Sequence, residues 1–448
     1  MLVTRAYRHK ARFTPEQELL ARRFAGCTRL VYNAGLEQRK LGYAVTGRGM
    51  SYMRQTYFLK EVKADPQFAF LSEAPAHVLQ QALRDLDRAF ANFFAGRSRY
   101  PKPRRRGERD GFRFPDPDPK QIGLNIPARQ GQVRLPKLGW VSVRNCYPRL
   151  GERLLEGELR HVSVTREADG WYVSFCCEVE LGERSVPAGG PVGLDLGVAN
   201  SLATSDGQFV HLPVITIRER QKIGLLQSRV NRRRKGSHNR EKARLALARR
   251  RQHLGRRKRD AIHKLTIELA KGHELIAIED LKVAAMTRSA RGTADEPGVN
   301  VAQKSGLNRA ILDQSWGELR RQLAYKTQSH ACTLVAVHPS YSSKECRACG
   351  HIAKENRESQ AVFRCVACGH ADHADVNAAR IILERALQAH NHTHGSSSAP
   401  PGGTPGREPA FTGSNACEDR ASLKTPETLG PPRKARSRGR ARLTPARA

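Results

Sequence analysis

The chain has 448 residues, room for about two or three domains, and carries 78 Lys plus Arg against 43 Asp plus Glu, a formal net charge of +35. An excess this large goes beyond what solubility needs and points to a polyanionic partner. The start, MLVTRAYRHKARF, breaks its apolar residues with Arg5, Arg8, Lys10 and Arg12, unlike a secretory signal, and no apolar run reaches the ~18 residues of a membrane span; an intracellular, soluble protein without a membrane role is expected.

Thr14, Pro15 and Gln17 supply a cap, a first-turn proline and a capping-box partner for a helix over 14–39, with Leu20, Phe24, Cys27 and Val31 at helical spacing. A second helix, 76–95, places Leu79, Leu83, Leu86, Phe90 and Phe93 on one face and ends at Gly96. The segment RSRYPKPRRR that follows is either a solvated loop or a phosphate-contacting one. The aromatic among the charges favours the latter, with Tyr100, Lys102, Arg104, Arg105 and Arg106 as candidate nucleic-acid contacts. From 121 to 180 short alternating runs (132–135, 140–143, 159–165, 171–180) separated by Pro and Gly predict an antiparallel sheet or small barrel, with the two helices inserted beside it. ERSVPAGGP, 183–191, reads as a linker.

A second unit begins at Pro191. VGLDLG gives a buried strand carrying Asp195, and a hairpin turns at Ser205, Asp206 and Gly207. Residues 216–271 predict helices broken near Lys235–Ser237. Their arginines make the most cationic region of the chain, with Arg232, Arg233, Arg234, Lys235, Arg249, Arg250 and Arg251 as candidate nucleic-acid contacts. HELIAIEDL, 273–281, is a strand ending in Glu279 and Asp280. Only one of these can share a face with Asp195, and Glu279, directly after the apolar run, is the choice. Residues 285–306 read as a loop fit for a mobile flap, 308–330 as a helix buried through Ile311, Leu312, Trp316, Leu319 and Leu323, and DVNAARIILERAL as a final helix. After Gln388 a Pro, Gly and His-rich stretch to 448 predicts a disordered tail.

Cys346 with Cys349 and Cys365 with Cys368 form two CxxC pairs, 15 residues apart, each followed by glycine (Gly350, Gly369). This spacing suits one structural, four-thiolate zinc, which leaves no open position for substrate. Cys27, Cys146, Cys176, Cys177 and Cys332 read as small core residues, and Cys417 as a tail residue. Chemistry therefore falls to carboxylates. The order strand with Asp195, hairpin, helices, strand with Glu279, helix with Asp375 is what an RNase H-like sheet needs to gather three acids at one end; Asp372 competes for the third place. Convergent carboxylates repel unless a hard divalent cation, magnesium or manganese, sits among them. Two such ions about 3.5–4 Å apart support phosphodiester hydrolysis.

GLDLG with its downstream SDG, IAIEDL, YSSKECRACG, FRCVACG and ADVNAAR, with RFTPEQ, the run Val31, Tyr32, Asn33, and RLPKLGW, resemble the TnpB (OrfB) proteins of insertion sequences, relatives of the type V CRISPR effectors. The resemblance spans roughly residues 5–385. It implies an α+β multidomain, RNA-guided DNA endonuclease. Residues 1–185 would form a β-barrel-like wedge with an inserted helical recognition lobe. Residues 191–385 would form a RuvC-like nuclease, with the inserted helices 216–271 and a zinc ribbon 341–370, and 388–448 a disordered tail. Asp195, Glu279 and Asp375 match the family's catalytic, metal-binding acids. A guide RNA from the transposon end and double-stranded target DNA with a short adjacent motif are the implied partners. A functional link to a separate transposase and a prokaryotic, cytoplasmic, nucleoid-associated setting also follow from the resemblance. A DNA-binding repressor without cleavage and a strand-transfer transposase are the competing readings.

Overall fold

The computed structural model describes residues 1–108, 110–115, 122–125, 130–144, 157–293 and 295–394. The expected tail lies outside them, save that residues 389–394 continue the last helix. Cys146 and Cys417 also lie outside the described residues.

The first element is a strand, β1 (Leu2–Arg12), to which the sequence reading assigned no structure, and its inward face carries the buried Tyr7, His9 and Ala11. Thr14 then caps α1 (Pro15–Thr46) in a full capping box with Gln17, and α2 (Tyr52–Ala64), a 3₁₀ turn (Pro66–Glu73) and α3 (Ala76–Phe94) follow. The chain returns to the sheet as β2 (Gly111–Phe114), β3 (Gly123–Asn125), β4 (Gln130–Leu135), β5 (Gly139–Arg144), β6 (Gly157–Glu167) and β7 (Gly170–Glu180). The strands form one antiparallel sheet in the order β2-β6-β7-β1-β5-β4-β3. Among the described residues no ladder joins β2 to β3. Its apolar face and the stripes of α1 and α3 (Phe24, Val31, Leu79, Leu86) make one core with Val133, Val162 and Phe175.

The second sheet runs β8 (Val192–Asp195), β9 (Leu202–Thr204) and β10 (Phe209–Val210), then α4 (Ile217–Arg232) and α5 (His238–Gly272), then β11 (Leu275–Glu279). A short α6 (Val283–Met286), α7 (Val301–Gln314) and α8 (Trp316–Ser329) lead to β12 (Thr333–Val337). The order is β10-β9-β8-β11-β12, antiparallel through β10, β9 and β8 and parallel from β8 through β11 to β12. The C-terminal ends of the two central parallel strands, β8 and β11, are thereby set side by side.

The single helix expected over 308–330 is two, starting at 301 and broken at Ser315, whose φ of 59° is left-handed. The break resets the helical phase: Ile311, Trp316, Leu319 and Leu323 are buried, whereas Leu312 is exposed. Two short strands, β13 (Val362–Arg364) and β14 (Ala371–His373), precede α9 (Ala374–His394), which packs on the opposite side through Ile382 and Ala386. No helix among the described residues is long and apolar enough to cross a membrane.

Candidate active site and cysteine cluster

Asp195 ends β8 and Glu279 ends β11. The pairing of Ile278 with Leu194, carried one residue further, sets the two acids on neighbouring strands and one face. Asp375 stands in the first turn of α9, and α9 reaches β8 because Gly193 leaves it room: a Cβ there would lie 2.0 Å from the Ala379 carbonyl oxygen. Ser205 of the SDG turn fixes the same glycine, its amide donating to the Gly193 carbonyl at 2.9 Å and its Oγ accepting from the Gly193 amide at 3.1 Å.

The Asp195 carboxyl is pushed up to about 7, first by burial and then by the charges of Glu279 and Asp375, with Arg357 opposing. Burial also raises Glu279, against a hydrogen bond donated by Ser342 Oγ. Asp375 is held on both oxygens, by Arg357 Nη2 at 2.9 Å and Asn200 Nδ2 at 3.0 Å. A pocket of about 220 Å³ opens here, lined by Asp195, Asp375, Arg357, Gln360 and residues 196–199. Glu279 does not line it, because its carboxylate is turned to Ser342. The three acids are thus neighbours but not one tight ligand set. Among the described residues only the cysteines form a cluster of that kind.

The two alternatives at each uncertain position sit differently. Asp280 is exposed and paired with Arg320. Asp372 is bound by Arg380 at 2.6 Å and accepts from the His373 amide, outside the pocket. Arg357, Asn200 and Ser342 were absent from the sequence reading. Asn200 and Ser342 stand 175 and 63 residues from the acids they touch and Arg357 18, and although Ser342 lies within the YSSKECRACG stretch nothing in the sequence ties any of the three to its acid.

Cys346, Cys349, Cys365 and Cys368 bring their Sγ atoms within 4.8 Å of one another. The Cys346–Cys368 and Cys349–Cys365 separations are 3.7 and 3.6 Å. A tetrahedron with metal–sulfur bonds of about 2.3 Å has edges of about 3.8 Å, so the four thiols fit zinc. The knuckles are alike: Gly350 and Gly369, at φ 71° and 73°, donate to the carbonyls of Cys346 and Cys365 at 2.8 and 2.9 Å. Arg357 sits between the knuckles, so the ribbon itself delivers a cation to Asp375.

The basic candidates divide. Arg232, Arg233, Arg234 and Lys235 are exposed at the α4–α5 turn, as are Lys102, Arg105 and Arg106. Arg104 instead lies 4.0 Å over the Tyr32 ring and exchanges backbone bonds with Asn33, Arg249 Nε donates to the Ala168 carbonyl, and Arg250 pairs with Glu219. Arg251 is exposed and bonded to Gln227, and Tyr100 packs edge-on against Phe90 and Phe93.

The chain is 40% identical over 379 residues to InsQ of Escherichia coli (strain K12), named as a candidate RNA-guided DNA endonuclease; the match covers 84% of this chain and 91% of InsQ. The chain belongs to the TnpB (OrfB) family. A Streptomyces pristinaespiralis relative with the same kind of name is 34% identical over 86% of this chain and 90% of its own. Family models match at residues 174–290 (OrfB of IS605, "Probable transposase"), 316–382 ("Cas12f1-like, TNB domain") and 1–48 ("Helix-turn-helix domain"). In this TnpB-family chain residues 1–48 hold one strand and one long helix, not two helices about a turn. Of solved structures, a Cas12f1 in complex with sgRNA and target DNA shares the fold, with a TM-score of 0.52 at 12% identity, over 85% of this chain and 98% of the other.

Proposed function

We propose that the protein is an RNA-guided DNA endonuclease that hydrolyses target DNA at the pocket beside Asp195, Glu279 and Asp375. The observation that carries this reading is the trio itself: three acids from two adjacent strand ends and a helix start, Glu279 and Asp375 buried and Asp195 half-buried at the pocket, with Asp195 destabilised as an anion by desolvation and then by its two neighbours. The second sheet, antiparallel through three strands and then parallel, supports the RNase H-like (RuvC-type) fold, and residues 1–185 would serve as its wedge and recognition lobe. Asp195, Glu279 and Asp375 would hold divalent magnesium or manganese. When bound, these ions supply a water lowered in pKa and a counter-charge for the leaving 3′ oxygen.

The chain's own groups then have distinct tasks. Asn200 and Arg357 aim the Asp375 carboxylate, and Ser342 orients that of Glu279. Arg357 also lines the pocket, where a phosphate would meet its guanidinium. The exposed Arg232–Lys235 turn and Lys102, Arg105 and Arg106 would contact nucleic-acid backbone, which positions the duplex without reading its sequence. Guide RNA and target DNA are the partners proposed, by kinship with InsQ and the Cas12f1 complex.

The test is cleavage of a plasmid library with one fixed target beside randomised sequence, using protein co-expressed with its downstream RNA, with magnesium. Guide-dependent double-strand cuts next to one enriched motif are expected, and Asp195→Ala should abolish them while sparing DNA binding. Binding without cuts by the unaltered protein would favour a repressor; joining of transposon ends without RNA would favour a transposase.

A further inference from the structure

The C-terminal end of α3 carries a cluster of aromatic rings that the nuclease site does not use. Phe90 is buried, and Phe94 stacks on it at 6.1 Å with 27° between the planes. Tyr100 meets Phe90 and Phe93 edge-on, at 5.5 and 5.3 Å. The rings nevertheless remain open to solvent, Phe94 at 77% and Tyr100 at 42% exposure. A phenylalanine this exposed at the end of a stack has one face supported by the core and the other facing water.

The chain beyond it is built around this stack. Gly96, at φ 68°, ends the helix, and the amides of Arg97 and Ser98 both donate to the Asn92 carbonyl, folding the basic segment back over the last turn. The far end of the segment is pinned by Asn33 to the Arg104 backbone and by Tyr32 beneath the Arg104 guanidinium. Between these anchors Arg97, Arg99 and Lys102 are exposed, with no acidic residue from 88 to 107. An aromatic face with exposed cations on the segment beside it matches a stacked base with its flanking phosphates.

We propose that Phe94 and Tyr100 form a stacking ledge for an unpaired nucleobase of single-stranded RNA, whose phosphates meet Arg97, Arg99 and Lys102. The choice of RNA rests on the guided reading above: guide RNA offers unpaired bases before any DNA is opened, whereas duplex DNA keeps its base faces covered. Stacking is sequence-tolerant, so the ledge would hold the guide without reading it.

The test uses the full-length protein and a single-stranded RNA of roughly 15 nucleotides, followed by anisotropy without divalent metal. Phe94→Ala should weaken binding about 5-fold or more with an unchanged melting temperature, while Phe94→Trp should keep the affinity and show indole quenching on RNA addition above that of the unaltered protein. Binding of the same sequence as duplex RNA should be unaffected. No loss with Phe94→Ala, or an equal loss on duplex, overturns the ledge; a greater loss on single-stranded DNA overturns its assignment to RNA. Target cleavage by the unaltered protein is scored separately. Ledge binding without cuts supports this inference and rejects the nuclease reading, and cuts without ledge binding do the reverse.

Discussion

At the scale of single residues, the acids depend on neighbours that have no chemistry of their own. Gly193 lets α9 lie directly on β8, and replacing it by alanine would force its Cβ against the Ala379 carbonyl and the Leu383 backbone. Overpacking of this kind costs about 1–3 kcal/mol. Gly193→Ala is therefore expected to lower the melting temperature and, by shifting α9 off the strand, to lower cleavage more than guide binding. Arg357→Ala should cut cleavage while leaving the fold intact, because the guanidinium is part-exposed and its loss frees Asp375 without emptying a core. Arg357→Lys keeps the charge but not the fork that also bonds the Gln360 carbonyl, and should recover little. Asp195 and Glu279 were legible in the sequence because a charge inside an apolar strand needs a reason. Asp372 and Asp375 were not separable there: both follow the last cysteine within one short stretch and each pairs with an arginine, and the difference between them is that Asp375, not Asp372, lines the pocket.

At the scale of elements, the cysteine ribbon and the acid site form one mechanical unit. Asn377 of α9 donates to the Glu345 carbonyl and accepts from the Arg347 amide, so the first knuckle and the helix start move together. Cys365→Ser should release zinc, loosen both knuckles and withdraw Arg357 from Asp375; the expected outcome is a lower zinc content by atomic absorption with a parallel loss of cleavage. Normal zinc and activity in that variant would reject the coupling. The knuckles were legible from spacing alone, as were the capped α1, the amphipathic α3 and the α4–α5 break at Gly236. β1 was not, since Arg8, Lys10 and Arg12 on its outward face interrupt its apolar residues and its pairing to β5 and β7 spans more than a hundred residues of intervening chain. Nor was the kink at Ser315, where a non-glycine residue takes a left-handed conformation that no local composition announces.

At the scale of the whole molecule, the cationic helix α5 bolts the N-terminal sheet to the second one. Arg256 bonds Glu167 and Asp169 of the β6–β7 turn at 2.8 Å each, and Tyr172 at 2.7 Å. Lys10 adds a second cation at 3.2 Å from Asp169, and Arg8 lies 4.1 Å over the Tyr172 ring. Burial alone would raise the Asp169 carboxyl, but the hydrogen bonds from Arg256 and Tyr172 outweigh it and hold the group well below the usual carboxylate range. A carboxyl depressed in the folded state binds protons more readily when unfolded, so its contribution is present above the unfolded value near pH 4 and is lost as pH falls below it. Because the Arg256 side chain is 41% exposed, solvent screening limits the pair to about 1 kcal/mol. Asp169→Asn should therefore lower the melting temperature modestly at pH 7, with the gap to the unaltered protein closing as the pH drops below about 4. Arg256→Gln at pH 7 should speed amide exchange in residues 166–172 and 249–257 while leaving β8 and β11 protected. Faster exchange throughout both sheets would mean that this contact carries the global fold instead of joining two separately packed cores.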